Sequence, residues 1–118
     1  MKAKIKDIWV KALRSGKYKQ TIYRLNRDNE FCCLGVLTDL YLKEKGLEWE
    51  LKECTVAPML NYKGETRSLH SDVMEWAGLK TKVGAYEKEG KHTLSGMNDG
   101  GAKFSKIADV IAENYKLL

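Results

Sequence analysis

Three short blocks hold the residues that could do chemistry. Phe31-Cys32-Cys33-Leu34-Gly35-Val36-Leu37 places two adjacent thiols where an extended segment gives way to a helix. A thiol acts as a nucleophile only when a helix N-terminus or a nearby cation depresses its pKa and a base such as histidine assists; otherwise it packs as a small hydrophobe. Arg14-Ser15-Gly16-Lys17-Tyr18-Lys19-Gln20 joins cationic donors, a glycine and an aromatic ring, a set that can hold phosphate and stack a base. Asn98-Asp99-Gly100-Gly101 precedes an amphipathic run, where backbone amides can bind an anion or be capped by Asn98 or Asp99.

Other chemistries lack their spacing. Cys32, Cys33, Cys54, His70 and His92 form no CxxC or HxxxH pair, so no metal site and no cofactor is expected. The Arg14–Gln20 block is not a P-loop, because its glycine ends a helix instead of opening one. Neither histidine lies in a recognisable catalytic context, and the acids are scattered without a paired-carboxylate or kinase pattern. Packing is the simplest reading of both cysteines.

The elements that must position these blocks follow from periodicity. Ile5, Ile8, Trp9, Ala12 and Leu13 recur at helical spacing over about residues 2–15, and Gly16 suits the left-handed position that ends such a helix. A short strand at Ile22–Leu25 and a turn at Asn26–Asn29 lead into a helix over Cys33–Lys45 that is apolar almost all round, hence central, and stopped by Gly46. Gly35 inside it costs about 1 kcal/mol relative to alanine, which implies close approach by a backbone, a ring or a ligand. Trp49–Val56 reads as a strand, and Pro58 with residues 61–67 as a loop. A short helix capped by Ser71 or Asp72 ends at Gly78. Lys80–Tyr86 and Lys91–Leu94 read as a hairpin carrying Tyr86 and His92, and Phe104–Tyr115 reads as the last helix. The expected fold is α+β: one domain over residues 1–118, with three or four helices packed around a small, mainly antiparallel sheet.

A chain of 118 residues buries about two-thirds of its unfolded surface in one core. With 43% hydrophobic and 31% charged residues it is neither disordered nor membrane-spanning, and its basic N-terminus lacks the apolar stretch of a secretory signal, so a cytosolic location is expected. The net charge of +5 favours anionic partners. Lys2, Lys4, Lys6, Lys11, Arg14, Lys17 and Lys19 concentrate it in the first twenty residues. No clustered recognition element accompanies them, so a nucleic-acid surface is not expected, and neither is a membrane one.

Four blocks together carry a resemblance. Trp9 with Ala12–Gln20, then Phe31–Leu37, then Trp76-Ala77-Gly78-Leu79, then Asn98–Gly101 leading into Phe104–Ile111, resemble a family of small, uncharacterised proteins of tailed bacteriophages and their hosts. Met97 stands where that family typically has leucine, and Ser68-Leu69-His70 replaces a proline often found before the Trp-Ala-Gly-Leu helix. The resemblance implies a phage accessory protein in the cytoplasm of the infected bacterium, of a kind that commonly counters host defences. Combined with the basic bias, it leads to an expected binder of a small anionic, nucleotide-like molecule without turnover. Arg14, Lys17 and Gln20 would hold phosphate, Tyr18 would stack, and Asn98 or Asp99 would take a base or ribose, with a homo-oligomer able to complete the pocket. The alternatives are a protein-binding inhibitor of a host defence or metabolic protein and, third, a cysteine-dependent hydrolase or transferase.

Overall fold

Lysines on one side and apolar residues on the other make Ala3–Arg14 an amphipathic helix, α1, in the computed structural model, which describes residues 1–52, 59–87 and 92–118. It buries Ile5, Trp9, Val10 and Leu13. Its main partner is the C-terminal helix Phe104–Asn114, whose stripe of Phe104, Ile107, Ala108 and Ile111 faces it. The chain leaves α1 through Ser15, whose hydroxyl donates to the Ala12 carbonyl at 2.6 Å, and Gly16, which takes the left-handed φ of +73° that a turn here requires.

Three two-residue strands follow: β1 (Lys19–Gln20), β2 (Asn26–Arg27) and β3 (Glu30–Phe31). β3 is central, parallel to β1 and antiparallel to β2. The strand expected at Ile22–Leu25 is absent. Tyr23 adopts φ +66°, and the Leu25 amide is bonded to the Thr66 carbonyl at 2.8 Å, so this stretch bends across the molecule. The next helix, α2 (Cys33–Lys45), is buried along most of its length and ends at left-handed Gly46.

β4 (Glu50–Lys52) and β5 (Met59–Asn61) form an antiparallel pair with Leu51 opposite Leu60. The remainder of the strand expected over Trp49–Val56, with Cys54 and Pro58, lies outside the described residues. Helix α3 (Ser71–Ala77) is capped by His70, whose Nδ1 accepts from the Asp72 amide at 3.0 Å, in place of the expected Ser71 or Asp72. At its other end Gly78 is left-handed and the Leu79 amide donates to the Met74 carbonyl at 2.9 Å, a Schellman closure.

The expected hairpin after α3 reduces to one bridge, Ala85 to Thr93, with Tyr86 and His92 stacked beside it; residues 88–91 lie outside the described residues. Leu94 opens a helix instead of closing a strand, because the Thr93 hydroxyl accepts from the Gly96 amide at 2.9 Å. This helix, α4 (Leu94–Asp99), makes the described helices five, with α5 (Phe104–Asn114) last. Asn98 and Asp99 thus end α4 and do not cap α5. The class is α+β, with small, mostly antiparallel sheets beside a helical core. Among the described residues no helix is long and apolar enough to cross a membrane.

Candidate functional site

The two cysteines fasten the centre of the fold. Cys32 is the N-cap of α2: its Sγ accepts from the Gly35 amide at 3.4 Å, and its own amide donates to the Arg24 carbonyl. Cys33 is fully buried. Its carbonyl accepts from Trp9 Nε1 at 3.0 Å and its Sγ lies 3.5 Å from the Leu94 carbonyl, joining α1, α2 and α4. Burial pushes the Cys32 thiol up to about 11 and the Cys33 thiol well above its ordinary value, outweighing the amides around them. Neither is a thiolate at neutral pH. Iodoacetamide should therefore leave Cys32 and Cys33 unmodified in the folded protein and alkylate both in denaturant, as peptide mass spectrometry would read.

Two of the expected ligand residues meet, but they face each other. Asn98, with no exposed surface, accepts at Oδ1 from Gln20 Nε2 (2.9 Å) and from the Cys33 amide (3.1 Å), while its Nδ2 donates to the Thr21 carbonyl (2.8 Å). Gln20 Nε2 also donates to the Ala102 carbonyl, and Gln20 Oε1 accepts from the Phe104 amide at 3.2 Å. That last bond caps α5 from a distance, where Lys103 supplies no side-chain cap. Asp99 accepts from the Tyr23 amide at 2.9 Å and so holds the left-handed Tyr23. Asn98 thus spends its amide inside the fold, as a buried polar group requires, and Gln20 likewise bonds within the fold, while half-buried Asp99 makes a single bond to the Tyr23 amide.

Lys17 and Tyr18 open onto solvent elsewhere, in a cleft of about 660 Å³ between α1 and α2. Ile8, Ala12, Phe31 and Leu40 give it apolar walls, and Lys11, Ser15 and Lys17 edge it. On its α2 side Asp39, itself buried, gathers three donors: the Tyr18 hydroxyl at 2.6 Å, Lys43 Nζ at 2.9 Å and Trp49 Nε1 at 3.1 Å. Burial, and then the bond to Asp39, raise the Tyr18 phenol to about 12, so it stays protonated and donating. The Asp39 carboxylate in turn raises Lys43. The Tyr18 ring stands edge-on to Phe31, with ring centroids 5.1 Å apart.

The cations along the cleft are unequal. Lys43 is neutralised by Asp39, and Arg14 is turned to the far side of α1, where it bonds Asp109 at 2.8 Å. Lys11 and Lys17 make no salt bridge with a described residue. Counting the lining residues, Lys11, Lys17 and Lys43 against Asp39 leave a local charge of +2. Sequence reasoning did not single out Asp39 and Lys43, yet one signal was there: an acid inside the apolar run Leu34–Leu42, followed four residues later by lysine.

An aromatic and apolar floor under unpaired ammonium groups suits a ligand with a flat apolar part and an anionic part. Among the described residues, the Cys32 and Cys33 thiols are buried, and Tyr18 and Asp39 bond each other. No curated protein and no solved structure matches the chain. A family model described as a domain of unknown function matches residues 1–115, and the chain therefore belongs to that family, DUF8296.

Proposed function

We propose that this protein binds a small anionic, nucleotide-like molecule in the Tyr18 cleft without turning it over. The observation that carries this reading is the convergence of Lys11 and Lys17, free of salt bridges among the described residues, on a cleft walled by Tyr18 and Phe31. The cleft's volume lies within the range of about 300–1,000 Å³ typical of small-molecule sites. Lys11 and Lys17 supply phosphate contacts and the Tyr18 and Phe31 rings supply the surface for a base. Asp39 fixes the Tyr18 ring in place. The resemblance of the sequence blocks to small tailed-phage proteins supports the biological setting: an accessory protein in the cytoplasm of an infected bacterium, withdrawing a nucleotide-like molecule on which a host defence depends.

Thermal shift and calorimetry against a panel of nucleotides test the reading. Saturable stabilisation is expected, weakening with added salt, and Lys11→Glu with Lys17→Glu should abolish it while leaving the melting temperature of the free protein nearly unchanged, since both side chains are at the surface. The ligand should be recovered chemically unchanged. Absence of stabilisation by every nucleotide, or a response that survives the double charge reversal, would reject the site.

A further inference from the structure

A second cleft, of about 720 Å³, lies on the other side of α1 and shares Lys11, Ser15 and Lys17 with the first. The sharing follows from helical periodicity. Ile8 and Ala12 lie on the face of α1 toward the Tyr18 cleft, and Asp7, Val10 and Arg14 on the face toward the second, while Lys11 and, just past the helix, Ser15 stand on the crest between them. Lys17 comes to the same crest because left-handed Gly16 folds the chain back past the end of the helix.

The two clefts differ in chemistry. The first has the aromatic rings and a lining charge of +2. The second has no aromatic lining, and Lys6, Lys11, Arg14 and Lys17 against Asp7 and the Arg14 partner Asp109 leave it at +2. Arg14 spends one terminal nitrogen on Asp109 in an exposed pair, so the other edge of its guanidinium can still form a fork on phosphate oxygens. Lys6 lies beside exposed Asp7 at 2.5 Å with its ammonium 4.7 Å from the Tyr115 ring centre, contacts over which a multiply charged anion must prevail.

We propose that the ligand is a nucleoside polyphosphate: its base sits in the Tyr18 cleft, its first phosphate crosses the crest at Lys11, Ser15 and Lys17, and its terminal phosphates reach Lys6 and Arg14. This rests on the anion-binding reading of the Tyr18 cleft and adds to it a direction and a required number of phosphates. The monophosphate ends at the crest. Each further phosphate meets positive charge in the second cleft.

Calorimetry with nucleoside mono-, di- and triphosphates of one base, at constant ionic strength, tests this with the intact protein. Affinity should rise with each phosphate, by about tenfold or more from mono- to triphosphate, as charge-assisted contacts are added. Lys6→Ala combined with Arg14→Ala should remove most of that gain while changing monophosphate affinity by less than about twofold, because the residues truncated touch only the terminal groups. Inorganic tripolyphosphate should displace the triphosphate. Arg14 loses an exposed pair that contributes little, whereas Lys6 is only 20% exposed and also loses its place over the Tyr115 ring, so the melting temperature of the double variant is the control for folding. Equal affinity for all three nucleotides, or a double variant that weakens mono- and triphosphate alike, overturns the inference and leaves the Tyr18 cleft as the site. Binding of none of them overturns the Tyr18 reading itself.

Discussion

Replacing Gly35 by alanine should cost about 3 kcal/mol or more of stability, the upper end of what overpacking does in a core. A Cβ built at Gly35 falls 1.7 Å from the Leu25 carbonyl oxygen and 2.5 Å from its carbon. Both are backbone atoms, so no side chain can rotate away. The Leu25 segment cannot retreat freely either, because its amide is bonded to the Thr66 carbonyl and its side chain is fully buried. Helix propensity works in the opposite direction and favours alanine by only about 1 kcal/mol, so the clash decides the sign. Set against the ~5–15 kcal/mol that holds a domain together, the loss is large enough to read as a marked fall in the urea midpoint. Gly46→Ala is the comparison: unlike helical Gly35 its backbone is left-handed, but a Cβ there meets nothing, so only the left-handed strain of about 1–2 kcal/mol is expected. A Gly35→Ala protein as stable as the parent would mean that α2 and the Leu25 segment are not in contact.

Gly35 also illustrates what the sequence makes legible. A glycine in the middle of an apolar helix demands a close neighbour, and that much can be read from its type and position; that the neighbour is a backbone carbonyl depends on a bend at Tyr23 which no local propensity encodes. The same division runs through the chain. α1 and α5 are visible because each carries a helical apolar stripe, α2 because its apolar run is too long for a strand, and Gly16, Gly46 and Gly78 stop their helices as glycine can. The two-residue strands are invisible, since two residues are too few to show alternation and their pairing is set by distant contacts. The Lys80–Tyr86 segment looks β-prone yet forms a single bridge among the described residues, as its neighbour Leu94 is drawn into a helix by a Thr93 cap. Of the expected site, Lys17 and Tyr18 line a cleft, while Gln20 and Asn98 have types and positions equally suited to a ligand or to each other. Nothing in the linear order could show that residues 78 apart would consume each other's hydrogen bonds.

Asn98→Asp is expected to destabilise the protein by about 3–5 kcal/mol at neutral pH, the cost of stranding a buried charge without a counter-ion, and the penalty should fade in acid. The substitution keeps size and shape. Oδ1 still meets its two donors, the Gln20 amide and the Cys33 backbone N–H, but the second oxygen replaces an N–H group and faces the Thr21 carbonyl, acceptor against acceptor. Protonation repairs this, for a carboxyl O–H can donate to Thr21 as the Asn98 amide does. The fold thus favours the protonated form and raises the new group's pKa above the ~3.9 of an unfolded aspartate. A raised folded-state pKa contributes stability that is present below the unfolded value and lost as pH climbs through the folded one. The gap between variant and parent should therefore be small near pH 3–4 and widen toward neutrality, following the unfolded-state value of about 3.9 at its lower limit. Asn98→Leu separates this from mere damage: it leaves the Cys33 amide and the Thr21 carbonyl without their side-chain partner whatever the pH, at about 1–3 kcal/mol for each group left unpaired. Urea unfolding of the three proteins across that pH range distinguishes the cases. A penalty for Asn98→Asp that does not change with pH would mean that Asn98 is not locked between Gln20, Cys33 and Thr21. That would free its amide for the ligand role its sequence position suggests.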